Sequence, residues 1–204
     1  MKIKICGLAQ LENANVIAEL KPDFVGCIFT PQSKRYINFD QAKQINHPKK
    51  IGVFVNQNLT EIAQAITQCN LYGIQLHGNE SLDFCNEIKK QFPQISLIKA
   101  FSIEHSTDFD AIKNYETQVD YFLFDTKGKQ AGGNGYLFNW SLLNQITINK
   151  PYFLAGGIDF ESINQLKNLK NKPFAIDANS KLEDYTGIKN IVKTKQIIEY
   201  VQSI

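Results

Sequence analysis

The sequence predicts an α/β fold, a single-domain (β/α)8 barrel that spans residues 1–204. Short runs rich in β-branched or aromatic residues recur eight times along the chain. Several are almost continuously apolar, as strands buried on both faces of a parallel sheet are. Stretches with helical periodicity separate the runs, and no Pro-, Gly- or Ser-rich linker divides the chain.

The strand candidates are taken in chain order. They are KIKIC (2–6), FVGCIF (24–29), KIGVFV (50–55), GIQLH (73–77), SLIKAF (96–101), YFLFD (121–125), YFLAG (152–156) and FAID (174–177). An open doubly wound sheet is the competing architecture. Eight units in 204 residues favour the closed barrel.

Helical periodicity fills the gaps between the runs. It is clearest over 59–69, where Asn58 or Thr60 is the expected N-cap, and after Ser81 over 84–92. The same pattern joins Ile163, Leu166 and Leu169, and a closing helix carries Ile191, Ile198 and Val201. Weaker helices are predicted at 11–21, 39–46, 108–116 and 137–146.

Composition excludes several classes of function. The formal net charge is +2 and the lysines are scattered, so no nucleic-acid partner is expected. No apolar stretch approaches the roughly 20 residues that span a bilayer, and MKIKICG lacks the apolar core of a secretory signal. We therefore expect a cytoplasmic protein without membrane association.

The four cysteines form no CxxC pair and no zinc-type cluster with histidine, so neither a disulfide nor a metal site is expected. Cys27, Cys69 and Cys85 are interpreted as small core residues. Cys6 differs because it ends the first strand candidate and precedes Gly7. That position would place its thiol at the rim of a barrel.

Active sites of (β/α)8 barrels lie at the carboxyl ends of the strands, and the loops after strands seven and eight often bind phosphate. The candidate site residues are therefore those that end each apolar run. They are Cys6–Gly7, 30–35, Asn56, His77–Gly78, Lys99, Asp125, Gly156–Gly157 and 177–180.

Seven stretches along the whole chain resemble one family in order and position. They are KICGL, SKRYI, GVFVN, IQLHGNE, FDTKGKQAGGNGYLFNW, LAGGI and DANSKLED with GIKN. In them the sequence resembles the phosphoribosylanthranilate isomerases of tryptophan biosynthesis. The resemblance implies an Amadori rearrangement of N-(5-phosphoribosyl)anthranilate to 1-(2-carboxyphenylamino)-1-deoxyribulose 5-phosphate. It also implies general acid–base catalysis with no metal or organic cofactor.

The resemblance assigns the two proton transfers to Cys6 and Asp125. Opening the ribose ring needs an acid that delivers a proton to the ring oxygen, and the Schiff base must then lose a proton from the neighbouring carbon. By resemblance Asp125 is the acid and Cys6 the base. To act near neutral pH, the thiol would need its ordinary pKa of about 8.5 lowered, or would have to lose its proton on substrate binding. The carboxyl group would need its ordinary pKa of about 3.9 raised by an apolar surround.

Three further side chains are expected to bind or shape the substrate site. Arg35 can pair with the substrate's aromatic carboxylate through two hydrogen bonds. By resemblance His77 shapes the site rather than carrying a proton transfer, although a satisfied structural histidine is the alternative. Asp177, which ends the eighth run, is also expected to contact substrate.

The phosphate of the substrate is expected to bind main-chain groups. Gly156 and Gly157 allow close approach of backbone N–H groups, and Asn179 and Ser180 add the loop after the eighth strand. Lys181 stands where the family commonly has glycine, so this loop must adopt another backbone or offer an ammonium group to the anion. The glycine-rich loop with Gly132, Gly133 and Gly135 is expected to close over the substrate.

Two alternatives stay open. One is another sugar-phosphate enzyme on the same barrel. Indole-3-glycerol phosphate synthase would need a catalytic lysine and glutamate at strand ends, and although Lys99 ends the fifth strand candidate, no matching glutamate is predicted for it. A histidine-pathway isomerase would have aspartate at the end of the first strand, where this chain has Cys6. The other is a non-catalytic phosphate-binding barrel. In either case the partner is a small phosphorylated molecule, and we expect a monomer or a weak homodimer.

Overall fold

Eight parallel strands close into a barrel in the computed structural model of the chain, which describes residues 1–109, 112–126 and 139–204. Strand order follows the sequence, and β8 closes the ring beside β1. The strands are β1 (Lys2–Cys6), β2 (Phe24–Ile28), β3 (Lys50–Phe54), β4 (Gly73–Leu76), β5 (Ser96–Ile103), β6 (Tyr121–Thr126), β7 (Tyr152–Leu154) and β8 (Ala175–Ala178).

The connections contain α-helices in some units and 3₁₀ helices in others. The α-helices are α1 (Leu11–Glu19), α2 (Phe39–Ala42), α3 (Leu59–Cys69), α4 (Leu82–Gln91) and α5 (Ile191–Ser203). The 3₁₀ helices are Ser106–Phe109, Ile112–Tyr115, Trp140–Asn144, Ser162–Asn168 and Ser180–Leu182. A short hairpin of β9 (Glu183–Tyr185) and β10 (Ile188–Lys189) precedes α5.

The barrel encloses an apolar plug contributed by six strands and no helix. Because side chains alternate along a strand, one set points into the barrel and the other packs against the helices. The inward set forms a cluster of its own, separate from the larger core under the helices. Its members are Phe24, Ile51, Ile98, Ala100, Leu123, Phe153, Ala155 and Ala175.

Above this plug the inward positions become polar. Lys4 lies beside Asp177 across the β1–β8 ladder, and Cys6 lies beside Gly26 across the β1–β2 ladder. The same alternation places Gln75 above Gly73 on β4 and Asp125 above Leu123 on β6. The closed ring thus collects polar side chains from distant parts of the chain at its carboxyl end.

The predicted barrel is confirmed, and all eight strand candidates form strands. The competing open sheet is wrong because β1 and β8 pair through residues 2–5 and 175–178. Clear helices are found as expected at α3, α4 and α5.

Several other helix predictions are wrong in detail. The pattern over 163–169 forms a 3₁₀ helix at Ser162–Asn168, and the helix predicted at 39–46 ends at Ala42. In the region predicted as a helix at 108–116, the described residues form 3₁₀ helices at Ser106–Phe109 and Ile112–Tyr115. No prediction covered the β9–β10 hairpin. Ile191, which was expected on the core face of α5, is half exposed. Ile197 lies on that face in place of Ile191. Residues 137 and 138 of the helix predicted at 137–146 lie outside the described residues, and the described part contains a 3₁₀ helix at Trp140–Asn144.

Asn58 is the N-cap of α3, where Thr60 was the other candidate. The Asn58 side chain accepts from the Glu61 N–H at 2.9 Å, and the Glu61 carboxylate accepts from the Asn58 N–H at 3.3 Å. This reciprocal capping box satisfies two backbone donors that the first helical turn would otherwise leave unpaired.

We expect Asn58→Ala to lower the free energy of unfolding by about 1 kcal/mol, because the Glu61 N–H loses its acceptor. Urea denaturation followed by circular dichroism measures the change. Thr60→Ala is the matched control, since Thr60 is exposed and should change stability by less than about 0.5 kcal/mol. Equal effects of the two substitutions would contradict the assignment of the cap.

Candidate active site

Lys4 is the centre of a buried polar group inside the barrel. Its side chain has no solvent exposure, and its Nζ donates to Gln75 Oε1 at 2.7 Å and to Asp177 Oδ2 at 2.9 Å. Burial lowers the pKa of Lys4, but the charges of Asp177 and Cys6 outweigh burial, and the net pKa is raised. Lys4 is therefore an ammonium group that joins β1 to β4 and β8.

The Cys6 thiol lies next to Lys4 in a space that Gly26 leaves open. A Cβ on Gly26 would lie 2.6 Å from Cys6 Sγ and 3.1 Å from Lys4 Cε. Both distances are shorter than ordinary carbon contacts, so a side chain at position 26 would displace the thiol or the lysine. Glycine on the neighbouring strand is thus what permits Cys6 and Lys4 to share this corner of the barrel.

Burial raises the pKa of the Cys6 thiol above its ordinary value, whereas the sequence-based expectation for a base near neutral pH is a lowered pKa. The Lys4 ammonium opposes this effect by charge and hydrogen bonding, and Lys189 opposes it by charge, whereas the negative charge of Asp177 adds to it. The other thiols, of Cys27, Cys69 and Cys85, are also free and buried. Their burial fits the sequence-based interpretation of these three as core residues.

Asp125 faces His77 across the barrel mouth. Asp125 Oδ2 lies 3.5 Å from His77 Nε2, and Asp125 Oδ1 accepts from the Thr126 N–H at 2.8 Å. A Cβ on Gly156 would lie 3.0 Å from Asp125 Oδ1 and would also clash with Thr126 Oγ1. The absence of a side chain at Gly156 therefore keeps the space above this carboxylate open.

Gln75 connects the His77 imidazole to Lys4. The Gln75 amide nitrogen lies 2.7 Å from His77 Nδ1, and its oxygen accepts from Lys4. A continuous polar chain thus runs from Asp177 through Lys4, Gln75 and His77 to Asp125.

Asp177 has one occupied and one available carboxylate oxygen. Oδ2 accepts from Lys4, whereas no described residue donates to the buried Oδ1. Burial raises the pKa of Asp177, and the Lys4 charge opposes this only in part. A buried acceptor without a donor is costly, so this oxygen is suited to accept a hydrogen bond from a hydroxyl group of a ligand.

Arg35 lies at the rim and is held by Glu183. Arg35 Nε and Nη2 donate to the two Glu183 oxygens, each at 2.7 Å. The Glu183 carboxylate also accepts from Lys189 Nζ at 2.8 Å. Burial raises the pKa of Glu183, but these hydrogen bonds and charges outweigh burial and the net pKa is lowered. The pair uses two of five guanidinium protons, and no other described residue accepts a hydrogen bond from the outer edge of Arg35.

The loop after β8 joins this rim cluster to β1. Asn179 Oδ1 accepts from Lys189 Nζ at 2.6 Å. A Cβ on Gly7, which has a φ of +72°, would lie 2.6 Å from Asn179 Oδ1 and 2.7 Å from Arg35 Cδ. Gly7 is therefore required both for its left-handed backbone and for the close approach of the two side chains.

Two expected phosphate-binding loops lie on the same barrel face. Gly156 and Gly157 have φ values of +85° and +65°, a conformation that other residues rarely adopt. Ser180 and Lys181 lie in a 3₁₀ turn, and Lys181 does not have a positive φ. The lysine is thus accommodated by a backbone that does not need glycine. The glycine-rich loop with Gly132, Gly133 and Gly135 lies outside the described residues.

Lys99 has a glutamate partner that the sequence did not predict. It forms a buried ion pair with Glu80, with 3.2 Å between Nζ and Oε2. Lys99 also donates to the carbonyl of Gly78, and the Glu80 carboxylate accepts from the backbone of Asn56 and Gly78. Both side chains are 3% exposed, so they fix the loops after β3 and β4 rather than facing a substrate. Within the described residues, no three His, Cys, Asp or Glu side chains converge as metal ligands.

Comparison with known proteins connects this geometry to one family. The family model described as N-(5'phosphoribosyl)anthranilate (PRA) isomerase matches residues 3–200. The N-(5'-phosphoribosyl)anthranilate isomerase of Parabacteroides distasonis is 38% identical, and the alignment covers 98% of this chain and 93% of that protein. That of Rippkaea orientalis is 36% identical, with coverage of 99% and 96%.

The chain belongs to the N-(5'-phosphoribosyl)anthranilate isomerase family. Solved structures of the family have the same fold. The phosphoribosyl anthranilate isomerase of Thermotoga maritima is 31% identical with a TM-score of 0.89, and the match covers 100% of both chains. Another isomerase structure, 29% identical with a TM-score of 0.84 and full coverage, contains reduced 1-(o-carboxyphenylamino)-1-deoxyribulose 5-phosphate. No helix in the described ranges has the length and apolarity to cross a membrane.

The predicted site residues of this isomerase-family chain fall into two groups. Cys6, His77, Asp125 and Asp177 project into the barrel mouth and are joined by Lys4 and Gln75. The expected binding residues lie on loops at the same end of the barrel. They are Arg35, Gly156, Gly157, Asn179 and Ser180. Their individual roles stay predictions.

Sequence reasoning missed Lys4, Gln75, Glu183 and Lys189. Lys4 sits two residues before Cys6, and Gln75 two residues before His77, so each shares the inward face of its strand with a predicted site residue. That period-two spacing is the signal that could have found them. Glu183 and Lys189 lie on the unpredicted hairpin and gave no comparable signal.

The raised pKa of Cys6 predicts slow alkylation at neutral pH. We expect the midpoint of the pH dependence of iodoacetamide labelling at Cys6, located by mass spectrometry, to lie above the ordinary thiol value of about 8.5. Lys4→Met should move the midpoint further up, because a thiolate loses its neighbouring ammonium. Lys50→Met is the control, since Lys50 is buried but donates to the carbonyls of Ala42, the last residue of α2, and Ile45. A midpoint that Lys4→Met leaves unchanged would contradict the role of Lys4.

The lowered pKa of Glu183 predicts a pH-dependent contribution to stability. This contribution is present above the unfolded-state pKa of about 4.3 and is lost as the pH falls through the lower folded-state pKa. We expect Glu183→Gln to reduce the free energy of unfolding by about 2 kcal/mol at pH 7 and by less at pH 3.5. Urea titrations at both pH values measure it, with Asp184→Asn as the exposed neighbouring control. A pH-independent difference would refute the linkage.

Proposed function

We propose that this chain converts N-(5'-phosphoribosyl)anthranilate to 1-(o-carboxyphenylamino)-1-deoxyribulose 5-phosphate in tryptophan biosynthesis. The observation that carries the proposal is the convergence of Cys6 and Asp125 at one barrel mouth, from β1 and β6. A thiol and a carboxyl group on different sides of a sugar are the base and the acid that this rearrangement needs. Membership of the isomerase family and the analogue-bound relative support the substrate class.

In the proposed first step, Asp125 acts as general acid. Its proton passes to the ribose ring oxygen, the bond between that oxygen and C1 breaks, and the anilino nitrogen lone pair forms a C=N bond. The product of this step is a protonated Schiff base, and Asp125 becomes a carboxylate. His77 Nε2, at 3.5 Å from Asp125 Oδ2, is close enough to form a hydrogen bond after a small shift on substrate binding.

In the second step, Cys6 acts as general base in its thiolate form, which the raised pKa makes the minor form in the protein without substrate. It removes the proton from C2, the electrons of that C–H bond form a C1–C2 double bond, and the C=N electrons return to nitrogen. The resulting enolamine tautomerises to the ketone. Lys4 supports this role because its ammonium stabilises the thiolate form of Cys6.

Binding of the aromatic carboxylate is assigned to Arg35. Glu183 holds the Nε edge of the guanidinium, so the substrate carboxylate would use the free outer edge formed by Nη1 and Nη2. Holding Arg35 in advance reduces the side-chain entropy lost when the substrate binds.

The sugar phosphate is assigned to the residues of β7, β8 and their loops. The positive φ values at Gly156 and Gly157 and the loop at Asn179 and Ser180 support a main-chain phosphate site. Asp177 Oδ1 has no donor among the described residues, which supports its use as an acceptor for a ribose hydroxyl.

The remaining proposals concern the molecule as a whole. The chain would act as one domain in the cytoplasm, as a monomer or weak homodimer, without metal or organic cofactor. Light scattering at micromolar concentration distinguishes the oligomeric states.

Loss of anthranilate-derivative fluorescence with freshly generated substrate tests the activity. We expect Cys6→Ser and Asp125→Asn each to lower kcat by about 10²- to 10⁴-fold, because each removes one proton transfer. Two controls match the chemistry of the substitutions. Cys69→Ser alters a buried thiol on α3, and Asp120→Asn alters a carboxylate that pairs with Lys89 just before β6.

An inactive wild-type protein, or rates unchanged in both Cys6→Ser and Asp125→Asn, would overturn the proposed function. Loss of activity in the controls equal to that of the site variants would show that the assay reports folding rather than chemistry. Circular dichroism and urea titration of every variant separate these outcomes.

A further inference from the structure

The hydrogen bonds around Gln75 have only one consistent direction. The Lys4 ammonium carries donors and no acceptor, so the group that faces it at 2.7 Å must be the Gln75 oxygen. The Gln75 amide nitrogen then points the other way, at 2.7 Å from His77 Nδ1. Turning the amide round would bring its N–H groups against the ammonium and leave Lys4 with an unpaired donor in a buried site.

The direction of the Gln75 amide fixes the proton on His77. An amide nitrogen only donates, so Nδ1 must present its lone pair and cannot carry a hydrogen. The single proton of the neutral imidazole then resides on Nε2, the nitrogen that faces Asp125 Oδ2 at 3.5 Å. A second proton, on Nδ1, would oppose the Gln75 N–H at a distance that only a hydrogen bond permits.

Asp177 anchors the other end of this chain. Its Oδ2 accepts from Lys4 at 2.9 Å, which holds the ammonium against β8 and balances its charge. The Lys4 side chain is fully buried, so water does not compete for these donors. The orientation of Gln75 is therefore imposed by a buried ion pair rather than by solvent.

We propose that Gln75, held by Lys4, is a positioning residue that keeps His77 as the neutral Nε2–H tautomer with its one ring proton directed at Asp125. The catalytic role of Gln75 rests on the proposed isomerase function. The tautomer itself is a property of the protein without substrate.

A neutral donor suits the task proposed for Asp125. An imidazolium beside the carboxyl group would favour its ionised form before reaction, when the general acid must hold its proton. The Nε2–H group of a neutral imidazole instead offers a hydrogen bond to the carboxylate that forms once the proton has passed to the ring oxygen. Gln75 would thus act on Asp125 through His77 and without touching the substrate.

Nitrogen-15 NMR of histidine-labelled protein reads the tautomer directly. The chain has three histidines, so His77 is identified by the loss of its signals in His77→Asn. For the wild type at pH 7 we expect a non-protonated Nδ1 and a protonated Nε2. A protonated Nδ1, with or without a proton on Nε2, would overturn the proposal whatever the variants do.

Gln75→Glu tests the cause, because a carboxylate still accepts from Lys4 but cannot donate to Nδ1. We expect the proton to appear on Nδ1 in this variant, and the kcat of the isomerase reaction to fall on the order of 10-fold with little change in KM. Lys4→Met releases the amide, and we expect signals of both tautomers. An unchanged His77 spectrum in a folded Gln75→Glu or Lys4→Met variant would overturn the assignment.

Lys50→Met is the matched control for loss of a buried ammonium. The Lys50 Nζ donates to the carbonyl of Ala42 and to none of the side chains that link Lys4 to Asp125. It should lower stability and leave the His77 spectrum as in the wild type. The two proposals fail separately. An inactive protein with the expected tautomer would refute the isomerase assignment alone, and an active protein with Nδ1 protonated would refute only the role of Gln75.

Discussion

A lysine ammonium buried inside the barrel is the constraint on which the site depends. An isolated charge in this environment would be too costly, so Lys4 needs partners that supply both negative charge and hydrogen-bond acceptors. Asp177 on β8 and Gln75 on β4 provide them at 2.9 and 2.7 Å. Only a closed ring with this register brings both strands to β1. Because buried Lys4 requires both partners, the arrangement of the site depends on the closure of the barrel.

The barrel interior has a dry lower part, toward the amino ends of the strands, and a polar upper part at their carboxyl ends. This division determines how far the polar side chains of the site are desolvated. Phe24, Leu123 and Phe153 fill the lower part and exclude water from below. The polar side chains above them are therefore desolvated on one side. This desolvation raises the pKa of both Cys6 and Asp177. It also makes each hydrogen bond from Lys4 more costly to lose than the same bond at the surface.

Sequence patterns predicted the strands and their ends but not the contacts across the barrel. Apolar runs are local signals, and strand ends follow from them, so Cys6 and Asp125 could be placed at the rim from the sequence alone. Lys4 and Gln75 are 71 positions apart, and their contact depends on register and strand order, which no local pattern encodes. The 3₁₀ turns and the β9–β10 hairpin escaped prediction for a related reason, since packing rather than periodicity decides between short turns and helices.

The state of the Cys6 thiol follows from how the nearby charges are paired. Lys4 and Lys189 both favour a thiolate at Cys6, but each already forms an ion pair with a carboxylate. Lys4 pairs with Asp177, and Lys189 shares Glu183 with Arg35. Burial has the largest effect on Cys6 and outweighs these cations, so the thiol pKa is raised. The ionisation of Cys6 is consequently coupled to that of Asp177, because loss of the Asp177 charge would leave Lys4 free to stabilise a thiolate. The base therefore depends on its carboxylate neighbour as much as on the lysine between them.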